Sequence, residues 1–163
     1  MFLEKGGVFV QELDSYIINC ETLLIVPCDK NKVHVYEIDN EFIVNTNSLK
    51  IIESSCLFFG CSLEGRKQGT KNLIDCEMKV PVVIEDSKNL IFFPTSSYKN
   101  KQSIWISYQN LLKYTKCDRN ITLLNFKGNI NVKVDVRYGI IDNQVIRCIK
   151  LDTFIIKRKN DLK

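Results

Sequence analysis

The chain has 163 residues, enough to bury one ordinary core and too few for two comfortable ones, so the sequence predicts a single domain. With 45% hydrophobic residues, 26% charged residues and a formal charge of +4, the composition is globular and excludes collagenous, low-complexity and disordered classes. Apolar runs such as 23–26 and 90–93 fall far short of the roughly 18–20 residues of a membrane span. The start, MFLEKGGVFVQELD, lacks a basic segment followed by a long apolar stretch, so a cytoplasmic protein without a secretory leader is expected.

In chain order, residues 16–26 are rich in β-branched and apolar types and predict a strand, closed by a turn at Pro27 with Asp29, Lys30 and Asn31. A second strand follows at 33–38, where apolar and polar residues alternate, and a third at 42–44 after Asp39 and Asn40. Residues 49–59 are ambiguous between strand and short helix and end at Gly60. Strands are predicted at 79–84, 90–93 and 103–108, with a polar, basic loop at 94–102 carrying Tyr98, Lys99 and Lys101. Residues 121–126 and 130–136 flank Lys127-Gly128-Asn129, which is hairpin chemistry because Gly and Asn accept positive φ. A helix is predicted over 141–151, placing Asn143, Gln144, Arg147 and Lys150 on one polar face. The fold class is α+β, dominated by antiparallel strands and hairpins, with a C-terminal helix. Trp105, Phe58, Phe59, Phe92 and Phe93 are expected in the core.

For an enzyme the sequence is poor. His34 is the one histidine, and no GxSxG, Walker, GxGxxG or HExxH pattern is present, so no catalysis, cofactor or small-molecule ligand is expected. The seven cysteines lack CxxC spacing, which argues against zinc and for reduced thiols packed as small apolar side chains.

Charge is unevenly spread. Residues 1–60 hold four lysines against nine carboxylates, and residues 61–163 hold nineteen basic against ten acidic side chains. A surface for a polyanion should therefore come from the second part, 61–156 with its basic tail 157–163, while the acidic, β-rich first part suits protein contacts.

The segment SSCLFFGCSLEGRKQGT, residues 54–70, places Arg66 and Lys67 between Gly65 and Gly69, with Lys71 just beyond. It reads as a glycine-flanked basic loop able to approach a nucleic acid closely. Together with residues 47–52, KVPVVIEDSKNLIFFPTSS (79–97), IWIS (104–107) and LLNFKGNINVKVDVRYGIIDNQVIRCIKL (123–151), it resembles the competence transcription factor ComK family over about two thirds of the chain. The resemblance implies a sequence-specific activator of bacterial DNA-uptake genes, nucleoid-associated, that binds AT-rich double-stranded DNA through the minor groove as a dimer or tetramer. RNA polymerase and a proteolytic adaptor are the further partners it would bring. Longer members of that family continue past this chain's last residue, so a short member is expected.

Under that resemblance Arg66 is the first candidate for the groove, since A-tracts narrow the minor groove and concentrate negative potential there. Lys67 and Lys71 would meet phosphates with Ser62 and Thr70 as hydroxyl donors. Lys99, Lys101, Lys113, Arg137 and Arg147 form a second tier, and Asn143 and Gln144 would reach bases or support the helix. Two rival readings are an architectural DNA binder without sequence preference and a partner that modulates a longer relative.

Overall fold

The computed structural model describes residues 10–162. The first nine residues of the expected leader-free start, and Lys163 of the basic tail, lie outside them.

The architecture is α+β with strand predominating, as expected. Strand β1 (Gln11–Leu13) is followed by a hairpin of β2 (Thr22–Asp29) and β3 (Lys32–Glu37), and then by β4 (Glu41–Val44). The turn lies at Lys30 and Asn31, and Pro27, expected to open it, pairs with Val33 inside β2. Proline is tolerated there because β2 meets its other neighbour only at Leu24 and Ile25, so no ladder bond is lost at position 27.

Helix α1 (Ser48–Phe58) settles the ambiguous segment. Asn47 caps it by accepting from the Lys50 N–H, and it ends before Gly60, whose φ of 83° suits glycine. Its inward face carries Ile51, Ile52 and Cys56. Phe58, expected in the core, points away from that face and is 69% exposed, whereas Trp105, Phe92 and Phe93 are fully buried. Helix α2 (Leu63–Ile74) follows, then β5 (Val82–Glu85), β6 (Leu90–Pro94) and β7 (Trp105–Ser107).

These strands form one seven-stranded sheet in the order β1-β4-β3-β2-β7-β6-β5, antiparallel except for the β1–β4 pair. Alternate residues feed two cores. Leu24, Tyr36, Ile91, Phe93 and Ile106 enter one, and Ile25, Val35, Phe92 and Trp105 enter the other beneath α1. Burial on both faces explains why β6 reads as an unbroken apolar run rather than an alternating one.

A second sheet was only partly foreseen. Strand β8 (Leu111–Asp118), which no sequence pattern had marked, pairs with β9 (Ile121–Phe126), and β9 pairs with β10 (Ile130–Val134), all antiparallel. The β9–β10 turn is the expected one, with Gly128 at φ 77° and Asn129 at φ 59°. Helix α3 (Tyr138–Asp161) runs well beyond the predicted 141–151. Leu124, Phe126, Val132 and Val134 from the small sheet, and Ile141, Cys148 and Leu151 from α3, share the first core with the large sheet.

Candidate nucleic-acid interface

The glycine-flanked basic segment is a helix, not a loop. Ser62 accepts from the Gly65 N–H at 3.0 Å, Glu64 stands in the first turn, and Asp75 ends α2 in the left-handed region. Neither Gly65 nor Gly69 adopts a positive φ, so backbone freedom is not what they supply; a Cβ on Gly69 would meet nothing within 4 Å. They leave open one side of a cleft of about 340 Å³ between α2 and the end of α3, which Leu73, Ile155 and Arg158 also line.

Arg66 lines the same cleft. It is half-buried, and its Nε is buried without a hydrogen-bond partner. The lysines of α2 are engaged. Lys67 Nζ lies 3.4 Å from Glu64 and 4.9 Å from the centre of the Tyr98 ring, and Lys71 Nζ is 3.1 Å from Glu77. Such partly exposed pairs are weak and exchange readily for phosphate oxygens. Thr70 is buried, which removes its hydroxyl from the surface role assigned to it.

The polar face predicted on the C-terminal helix exists, but three of its four side chains bond back to the protein's own carbonyls. Gln144 is 1% exposed, and its amide donates to Lys79 O at 2.9 Å and Pro94 O at 2.6 Å. Arg147 Nη1 donates to Met78 O at 2.8 Å and to Gln144 Oε1 at 3.0 Å, and Lys150 Nζ reaches Ile74 O at 3.3 Å. The row satisfies carbonyls at the end of α2, in the segment after it and at the end of β6, so Gln144 is held inward and supports the helix. Asn143 alone of the four carries no such bond and stays exposed.

Lys99 and Lys101 are exposed in the loop after β6, beside Tyr98, so the Lys67–Tyr98 contact joins that loop to α2. Arg137 begins α3 and donates from Nε to Asn120 at 3.0 Å. It lines a second cleft, of about 570 Å³, with Asn100, Gln102 and Lys133. Lys113 stands exposed on β8.

Sequence reading missed the small sheet's charge. Residues 111–134 hold Lys113, Lys116, Arg119, Lys127 and Lys133 against one carboxylate, Asp118, and none of these five forms an ion pair among the described residues. A charge count over that window, rather than over halves of the chain, would have found it. Among the described residues no helix is long and apolar enough to cross a membrane, and no group of three or more His, Cys, Asp or Glu is placed to hold a metal.

These elements define an α+β protein with a large sheet buried on both faces and a small basic sheet backed by a helix. Comparison with known proteins narrows this. The family model described as ComK protein matches residues 13–160, so the chain belongs to the ComK family. It is 31% identical over 148 residues to a competence transcription factor of Bacillus subtilis (strain 168), covering 86% of this chain and 75% of that protein. No solved structure matches.

Proposed function

We propose that this protein is a DNA-binding regulator of bacterial competence genes, acting in the cytoplasm on AT-rich double-stranded DNA through the minor groove, as a dimer or higher oligomer. The observation that carries the reading is its similarity to a competence transcription factor over most of both chains. Physical support comes from Arg66, which lines an open cleft beside two glycines and forms no ion pair among the described residues. An arginine without a carboxylate partner suits the concentrated negative potential of a narrow A-tract groove.

Oligomerisation is supported by a stripe on α3. Ile146, Ile149 and Ile156 are half-exposed on steps of three and seven, one face of a helix that the described residues leave uncovered. One module of this size does not span two separated boxes, so paired recognition calls for a second copy.

The test is fluorescence anisotropy across a salt series, with one duplex carrying phased A- and T-tracts and a GC-rich duplex of equal length. Preference for the A-tract duplex is expected. Arg66→Ala should cost about 1–3 kcal/mol on that duplex and less on the control. Equal affinity for both would leave an architectural binder, and no binding to either would leave a protein that acts through a longer relative.

A further inference from the structure

The strands β8, β9 and β10 alternate, and their registers sort their side chains into two faces. Tyr114, Leu124, Phe126, Val132 and Val134 point inward, where Tyr114 also hydrogen-bonds Asp142 of α3 at 2.8 Å. The opposite face carries two rows across the three strands. One is Lys113, Asn125 and Asn131; the next is Thr115, Leu123 and Lys133. Asn125 Nδ2 donates to Asn131 Oδ1 at 2.6 Å, which fixes that pair between the two lysines.

None of the described residues covers this face. Lys113, Thr115, Asn131 and Lys133 are exposed, and the lysines reach no carboxylate. Strand spacing and rise put the Cα atoms of Lys113 and Lys133 about 12 Å apart on the diagonal, roughly the width of the major groove. Two lysine stems from that base can reach phosphates of both strands, outside the minor groove proposed for Arg66, with the linked asparagines between them.

We infer that the outer face of the small sheet is a docking surface for the sugar-phosphate backbone of duplex DNA, with Lys113 and Lys133 as its phosphate contacts and Asn125 and Asn131 as polar contacts between them. The occupant follows from charge complementarity: Lys113 and Lys133 on this face reach no carboxylate among the described residues, and the same segment, 111–134, adds Lys116, Arg119 and Lys127 against the single acid Asp118. This rests on the proposed DNA-binding function and adds the surface that supplies its electrostatic grip. It also divides the labour, since α2 offers one arginine for the groove while the sheet holds the backbone.

The experiment compares the full chain with Lys113→Gln/Lys133→Gln and with Lys88→Gln, an exposed and unpaired lysine of the β5–β6 turn. Affinity for the A-tract duplex is measured by anisotropy across salt, with thermal unfolding as the check on folding. The double variant should unfold at the wild-type temperature and lower the slope of log affinity against log salt by about two units. Lys88→Gln should leave the slope unchanged. A wild-type slope in the folded double variant, or an equal fall in Lys88→Gln, overturns the sheet surface while leaving DNA binding intact. Absence of duplex binding by the wild-type chain overturns both.

Discussion

In helix α2 the lysines are held from within the chain, Lys67 by Glu64 and Tyr98 and Lys71 by Glu77, while on β8 and β10 Lys113, Lys116 and Lys133 reach no carboxylate among the described residues. Both regions are basic in sequence. They differ in what surrounds the charge. The lysines of helix α2 meet carboxylates at Glu64 and Glu77 and the ring of Tyr98, so its cations are partly neutralised before any ligand arrives. The small sheet buries its apolar side on α3 and the large sheet and leaves its polar side to solvent. A count of basic residues is therefore a poor guide to where a polyanion will sit; the count of basic residues without partners is a better one.

The contrast can be broken first at Gln144. Gln144→Ala leaves the carbonyls of Lys79 and Pro94 without their donor and takes an acceptor from Arg147, which should cost about 1–3 kcal/mol. In a domain of this size each kcal/mol lowers Tm by about 2–4 °C. If Tm holds, the inward row does not anchor α3 to the segment after α2.

A smaller effect tests how the sheet is fastened. The phenol of Tyr114 is pushed up to about 12, first by burial and then by the hydrogen bond to Asp142. Its folded value thus lies above the ordinary 10.0, so the stability it contributes is whole below pH 10.0 and is lost as pH rises through 12. Tyr114→Phe should cost about 1 kcal/mol near neutral pH and flatten the alkaline fall in Tm relative to wild type. Parallel alkaline curves for the two proteins would refute the assignment.

The smallest effect separates the two kinds of lysine. Lys67→Ala should destabilise by less than about 1 kcal/mol through lost ion-pair and cation–π contact, and Lys113→Ala should stay within about 0.5 kcal/mol of wild type. Chemical denaturation with a constant m-value resolves the pair. Equal stability losses would erase the distinction between held and free cations.

Much of the fold was legible because local signals agreed with the tertiary outcome. The β9–β10 hairpin is the clearest case. Alternating valines lead away from a turn that needs positive φ, and a Cβ on Gly128 would also lie 2.7 Å from the Ile38 side chain. Strand β8 was invisible since extra residues at Leu112 and Cys117 interrupt its pairing and its alternation. Helix α2 was misread because two glycines four apart suggest a loop, whereas the Ser62 cap, the left-handed Asp75 and the buried Thr70 and Ile74 hold a helix. The inward turn of Gln144 depends on carbonyls 50 and 65 residues away in the chain, and no local pattern encodes that.

Strand β8 is also an outer edge of its sheet, with one row of backbone groups facing no neighbour. Exposed edges invite another copy to add a strand and so begin aggregation. Here Leu112 and Cys117 break the regular ladder, and Lys113 and Lys116 put charge next to each break. The breaks and charges along β8 thus also make it a poor template for an added strand, and removing the charge while straightening the strand should favour edge-to-edge pairing.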